Sequence, residues 1–263
     1  MSENSSLVPG HDPERPRLTG WQRSLTVGAS RLSHWISRRW LFLFNCVVAI
    51  YIGVPFLAPT LMMKGLDGPA RVIYKVYSPA CHQMAHRSWF LFGEQSYYPF
   101  RLSGIPGVHY LDEYIESIPS LVGLDPGTNF FDYTGLLRGF YGNEQLGYKV
   151  ALCQRDVAIY LSLLVGGVLF SLVRGRIRPM PWQLFILFGI LPMGVDGGYQ
   201  MLTYILPRFF EPHETTPGLR TITGVLLGLG LVWLTYPHIS EGMRETEADL
   251  RANLTRAGVY EEQ

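Results

Sequence analysis

The sequence predicts an all-α, polytopic membrane protein with about four transmembrane helices and a partly structured outer loop. Three features predict it: four charge-poor stretches long enough to cross a bilayer, arginine clusters at only some of their ends, and a Gly-, Pro- and aromatic-rich stretch between the first two. The chain has 263 residues and a net charge of +1, so no basic excess points to nucleic acid, and membrane lipids are the expected surroundings.

Residues 1–39 read as a cytoplasmic N-terminal segment. Residues 1–20, rich in Ser, Pro and charge, predict disorder. Residues 21–39 set Trp21, Leu25, Val27, Leu32, Trp35 and Ile36 against Arg23, Arg31, Arg38 and Arg39, which predicts a basic amphipathic helix on anionic lipid. The membrane domain follows over 40–237. Its first span, Trp40 to Met63, carries no charge and, at about 1.5 Å rise per residue, exceeds the roughly 30 Å hydrocarbon core. It follows a long polar segment without a clear cleavage site and so reads as an anchor, not a cleaved signal.

Residues 64–152 form the outer loop. Within it a short helix is expected over His109 to Ile118, and the aromatic residues Tyr97, Tyr98, Phe100, Phe130, Phe131, Tyr133, Phe140, Tyr141 and Tyr148 are expected to pack on each other or lie at headgroup level. A loop this long is a lid or a docking surface, and sequence does not choose between them; as a docking surface, 94–152 would meet a protein partner.

The second span, Val157 to Val173, is slightly short and is expected to start at Cys153, bringing Arg155 and Asp156 to its mouth. The third runs from Pro179 to Pro207, broken only by Asp196, and the fourth from Thr221 to Ser240, directly after Arg220. Arg15, Arg17, Arg23, Arg31, Arg38 and Arg39 precede the first span, and Arg174, Arg176 and Arg178 fill the link between the second and third. The positive-inside rule places both groups in the cytoplasm. Both termini are then cytoplasmic, 64–152 and 207–220 face outward, and 238–263, alternating acid and base, is a solvated cytoplasmic tail.

Asp196 is the sharpest single signal, because a carboxylate near the bilayer centre costs roughly 2.5–3.5 kcal/mol and needs a partner or a proton. Gln200 and Tyr204 follow it on the same helical stripe. The alternative role is an interhelical hydrogen bond that fixes packing. Cys81-His82-Gln83 forms a second cluster. His86 follows His82 by one turn, and on a helix the two share a face. In Cys153-Gln154-Arg155-Asp156, Cys153 and Asp156 also share a face. Cys81, His82, Cys153 and Asp156 together offer the mixed S, N and O ligation that zinc takes. A Cys81–Cys153 disulfide closing the outer loop is an equal alternative on the oxidising side of the membrane.

Arg220 stands at a helix N-terminus, where a cation opposes the dipole, so an anion should lie nearby. Asp196, Asp156 or a lipid phosphate would serve. His213 with Glu211 and Glu214 reads as a solvated loop. Gly224 and Gly228 form a small-xxx-small pair for close helix packing.

At these residues the chain resembles the prokaryotic membrane family catalogued as domain of unknown function 2085. The shared features, in order, are Cys81-His82-Gln83 with Arg87-Ser88-Trp89, Cys153-Gln154-Arg155-Asp156 with Ala158-Ile159-Tyr160, Asp196-Gly197 with Gln200, and Arg220 with Gly224. The resemblance implies a multi-span membrane protein and no particular reaction. Asp156 stands where the family has a second clustered cysteine, which removes a Cys-x-x-Cys pair and argues against thiol–disulfide exchange. His86 replaces a common acid, and the stretch from Gly93 to Cys153 reads as an insertion.

Two functions of different classes follow. In one, Asp196, Gln200 and Arg220 are catalytic beside a zinc held by Cys81, His82, Cys153 and Asp156, and the reaction is metal-assisted hydrolysis or transfer on a lipid-linked substrate, with Arg220 holding a phosphate or carboxylate. In the other, the protein is a non-enzymatic membrane subunit or assembly factor, and the polar cluster is structural. A small transporter with Asp196 in the path is weaker, because four spans lack an internal repeat.

Overall fold

The computed structural model describes residues 20–119, 121–123, 130–173 and 176–259, with the backbone alone for 130–134. Residues 1–19, Arg174, and the side chains of Phe130, Phe131 and Tyr133 therefore lie outside the described residues.

Among the described residues, four helical segments are long and apolar enough to cross a membrane, which bears out the expected fold class: α1 (Gly20–Met63), α4 (Gln154–Val173), the stretch Trp182–Ile205 and α7 (Pro217–Arg256). Each has a reason in its sequence. Gly65, in the left-handed region, ends the turn after α1. Pro217 opens α7 at the one position where its missing N–H costs nothing. The third span is composite: α5 (Trp182–Phe185), a π turn over Ile186–Ile190, and α6 (Leu191–Ile205). Pro192 cannot donate to Phe188 and its ring crowds that carbonyl, and the widened turn just before it accommodates both. Leu161, Val165, Val168, Leu169 and Leu172 on α4 are exposed, an apolar face suited to lipid.

Between α1 and α4 the chain is folded. It forms α2 (Asp67–Tyr77), short 3-10 turns at Ala85–Arg87, Arg101–Ser103 and Leu111–Tyr114, α3 (Phe130–Gly139), and a small antiparallel sheet. The sheet was not expected. Its strands are β1 (Ser88–Leu91), β2 (Gly142–Asn143) and β3 (Gly147–Cys153), in the order β1-β3-β2, with Ser88 opposite Cys153 and a bulge between Ser88 and Phe90. Gly147 is obligatory: its φ is +75° and a Cβ would lie 2.3 Å from the Leu91 carbonyl oxygen. The helix expected over His109 to Ile118 is a 3-10 turn at Leu111–Tyr114 followed by further turns. Phe90, Tyr98, Phe100, Leu111, Leu137 and Leu146 are buried together in this segment's core, so these aromatic residues pack into a core they share with aliphatic side chains.

The chain divides into two compact units. In the first, residues up to Trp40 and from Gly242 onward, Arg23 donates to the Ala257 carbonyl at 3.0 Å and Arg38 pairs with Glu247 at 3.4 Å. Trp21, Leu25, Leu32 and Trp35 are exposed there, as lipid-seeking side chains would be. The second unit, Leu41–Glu241, holds the candidate site. Within it α7 packs closely on α4 at two glycines. A Cβ on Gly224 would lie 2.8 Å from the Arg155 carbonyl oxygen, and one on Gly228 would lie 2.6 Å from that of Ile159. The small-xxx-small pair thus lets the backbones touch.

Candidate functional site

The junction of β3 and α4 places the key side chains. The chain changes from strand to helix between Cys153 and Gln154, so four successive residues point in different directions. Cys153 Sγ accepts from the Asp156 amide at 3.4 Å, taking the place an N-cap oxygen would hold. The Cys153 amide in turn donates to Cys81 Sγ at 3.2 Å. Cys81, Cys153 and Asp156 consequently present ligand atoms within 4.8 Å of one another. All three cysteines of the chain are free. The neighbouring Cys153 sulfur, followed by burial, pushes the Cys81 thiol far up, so it keeps its proton at neutral pH.

His82 does not join them. The expected helix through His82 and His86 does not form, because Gln83 takes a left-handed φ of 53° that turns the chain, and only Ala85–Arg87 makes a short 3-10 turn. That bend is held from all sides. Gln83 Nε2 donates to the carbonyls of Tyr74 at 2.9 Å and Ala151 at 3.0 Å, and its own carbonyl accepts from Lys149 Nζ at 2.6 Å. His82 is exposed and lines a cavity of about 200 Å³ with Arg87, Arg155, Gln200 and neighbours on α6. The pairs Cys81–His82 and Arg155–Asp156 are each split: one member faces the sulfur cluster, the other the cavity.

Asp196 pairs with Arg155 across α6 and α4. Gly197 makes the pair possible, since a Cβ there would sit 2.7 Å from Arg155 Nη1. Gln200 is buried, and its Oε1 accepts from Thr215 Oγ1 at 3.2 Å.

Arg220 also departs from expectation. Its anion is neither Asp196 nor Asp156 but Glu214, in the loop before α7. Glu214 was read as part of a solvated loop, yet it is 0% exposed. Arg87 donates to it twice, at 2.8 and 2.9 Å, Tyr204 Oη donates at 2.8 Å, and Arg220 completes the shell. Arg220 further donates to the His86 carbonyl at 3.4 Å and to Gln154 Oε1 at 3.3 Å. Burial alone would raise the Glu214 pKa, but Arg87, His86 and Arg220 outweigh it and hold the carboxyl well below its ordinary range.

His86 stacks on Phe100 at 4.1 Å, and burial pulls it down to about 4. At neutral pH the imidazole is therefore uncharged, which leaves two guanidiniums sharing one carboxylate. The signal for Glu214 was present in the sequence: an arginine opening a helix demands an anion, and Glu214 is the nearest upstream acid.

Lys149 is a further buried cation that sequence reading missed. Its Nζ donates to the carbonyls of Gln83, Leu137 and Arg138 at 2.6, 3.2 and 2.9 Å. The last two are terminal carbonyls of α3, so Lys149 caps that helix. Burial lowers its pKa to about 7.

Residues 144–234 match the family described as "Predicted membrane protein (DUF2085)". This is the family whose motifs the sequence resembles, and the matched stretch contains Cys153, Asp156, Asp196, Gln200, Glu214 and Arg220. An uncharacterized protein of Methanocaldococcus jannaschii is 23% identical over 166 residues, which cover 63% of this chain and 67% of the relative. No solved structure matches the chain.

Proposed function

We propose that the chain is a multi-pass protein of a prokaryotic plasma membrane, with both termini cytoplasmic, that holds a zinc ion at Cys81, Cys153 and Asp156 and uses it on a lipid-linked substrate. The convergence of these three ligand atoms within 4.8 Å carries the reading. Ligands around a tetrahedral zinc, with bonds of about 2.0–2.3 Å, lie roughly 3.5 Å apart, so only a small contraction is needed. Three protein ligands leave the fourth position for water, which is the ligand count of a catalytic centre. Zinc supplies a lowered pKa for that water.

The remaining residues have supporting tasks. Asp196 is a positioning residue that orients Arg155. Arg220, committed to Glu214, holds α7 against the Ala85–Arg87 turn instead of a substrate phosphate. Arg38, Arg39, Arg176 and Arg178 support cytoplasmic placement of both termini and of the link before the third span.

A second reading is favoured by the closed Glu214 network. A polar cluster whose charges are this well satisfied suits a non-enzymatic subunit or assembly factor that docks a protein partner through 94–152.

Elemental analysis of detergent-purified protein, with a free-thiol count under non-reducing conditions, separates the two. About one zinc per chain is expected, lost in Cys153→Ser and Asp156→Ala and kept in His82→Ala. Metal-free protein with Cys81 and Cys153 joined in a disulfide overturns the zinc site and leaves the second reading.

A further inference from the structure

We propose that the cavity bounded by Arg155, Gln200 and His82 binds the phosphate head group of an anionic amphiphile whose chain runs along Met201 and Ile205. The inference rests on the membrane setting of the proposed function and is independent of its metal. The polar lining has a marked bias. Arg155 Nε and Gln200 Nε2 are both buried and lack a hydrogen-bond partner, and both are N–H donors. Gln200 is 4% exposed, so bulk water does not reach it.

A buried unsatisfied donor is costly, and two lining one cavity call for a group made of acceptors. Among the described lining residues, no acceptor is left buried and unpaired. The cations are already oriented. Arg155 is held by Asp196 and given room by Gly197, and Arg87 is held by Glu214. Arg155 on α4 and Gln200 on α6 direct donors into the cavity, and the exposed His82 ring lines it from a third side. Three directions fit the three free oxygens of a phosphate monoester better than the planar pair of a carboxylate.

Size and apolar lining identify the rest of the ligand. At about 200 Å³ the cavity is smaller than the roughly 300–1,000 Å³ that encloses a drug-sized molecule, so it takes a head group and leaves the remainder outside. Its apolar side continues onto the exposed face of α6 through Met201 and Ile205, 54% and 52% exposed. In a bilayer that face meets acyl chains, which a free phosphate would not use.

The test is calorimetric titration of the full-length protein in detergent with dihexanoyl phosphatidic acid, inorganic phosphate and dihexanoyl phosphatidylcholine. Phosphatidic acid is expected to bind saturably, with the other two weaker by about tenfold or more. Gln200→Leu and Arg155→Lys should each weaken it about tenfold while the unfolding midpoint stays near that of the parent. If Gln200→Leu fails to accumulate because its bond to Thr215 is lost, Arg155→Lys decides, since lysine keeps the pair with Asp196 but not the second donor.

Equal affinity for inorganic phosphate overturns the amphiphile, equal affinity for phosphatidylcholine overturns the anionic head group, and unchanged affinity in Arg155→Lys overturns the cavity. A Cys81→Ser, Cys153→Ser double variant should still bind phosphatidic acid. In the parent protein, absence of zinc with lipid binding intact, or the reverse, shows which of the two proposals has failed.

Discussion

Two polar clusters flank the start of α4, and they differ in how completely their atoms are satisfied. Around Glu214, a fully buried carboxylate receives bonds from two arginines and a tyrosine, and Arg220 Nη1 also donates to Gln154 and a backbone carbonyl. Around Cys81, Cys153 and Asp156, the two sulfurs accept backbone amides, and Cys81 also meets the Cys153 and Asp156 side chains, so three ligand atoms are drawn together. A closed network resists change because every member is needed by the others. An open cluster holds little stability and is free to take a ligand. The difference supports reading the first as architecture, and it is what lets the second be proposed as a ligand site.

The largest expected effect tests the closed side. Glu214→Ala leaves Arg87 and Arg220 facing each other without a carboxylate between them, and breaking a buried pair this way costs about 3–5 kcal/mol. The variant should fail to accumulate in the membrane fraction or unfold at a much lower temperature in detergent. Cys153→Ser, in the open cluster, should cost less than about 1 kcal/mol while abolishing the zinc binding proposed for it. Similar stability losses in the two variants would erase the distinction.

Acid titration sharpens the same contrast. His86 ordinarily titrates near 6.5 and is held neutral down to about 4 in the fold. Between those values the unfolded chain binds a proton that the native state refuses, so stability is full above about pH 6.5 and falls toward pH 4, by about 3 kcal/mol at most. Glu214 acts lower: its depressed pKa contributes stability above the ordinary carboxylate value, which is lost as pH falls further through its folded pKa. Unfolding midpoints measured across pH 4–7 should slope in the parent and flatten in His86→Phe, whose ring can still stack on Phe100. An unchanged slope would place the titration elsewhere.

What the sequence made legible divides along physical lines. The four spans could be read because long uncharged runs have few alternatives in water. Cys153 with Asp156, and Gly224 with Gly228, could be read because helical spacing fixes neighbours within one element. Glu214 was legible only through Arg220's demand for an anion, because its other partner Arg87 lies 127 positions away and Glu-Pro-His-Glu-Thr-Thr looks like any solvated loop. His82 was misplaced by the assumption of a helix, which the left-handed Gln83 breaks. That conformation depends on distant carbonyls of Tyr74 and Ala151, which local pattern does not record. The sheet escaped notice because β3 is buried on both faces over Val150–Leu152, without the alternation that marks a half-exposed strand.

A smaller effect is expected where the two clusters share a helix contact. Gly224→Ala puts a methyl 2.8 Å from the Arg155 carbonyl oxygen and 2.9 Å from Ala158 Cβ. Neither neighbour can swing away, so α7 must move off α4 at a cost of about 1–3 kcal/mol. Because Arg155 precedes Asp156 on that first turn, zinc affinity should fall with stability. Intact zinc binding in a destabilised Gly224→Ala protein would mean that β3 and the Cys81 segment hold the ligands without help from α7.

The smallest effect comes from an ion pair of similar chemistry in water. Arg38 and Glu247 lie 3.4 Å apart with side chains 64% and 35% exposed. Solvent screens them and both side chains lose rotamer freedom in pairing, so Glu247→Ala should change stability by less than about 0.5 kcal/mol, and less still at high salt. The same substitution at Glu214 is expected to cost many times more, although each glutamate meets arginine. Burial, not the charges themselves, sets the ratio. A salt-independent loss at Glu247 approaching that at Glu214 would show that this pair sits in a low-dielectric setting, such as the headgroup boundary, and that its exposed surface is covered by lipid instead of water.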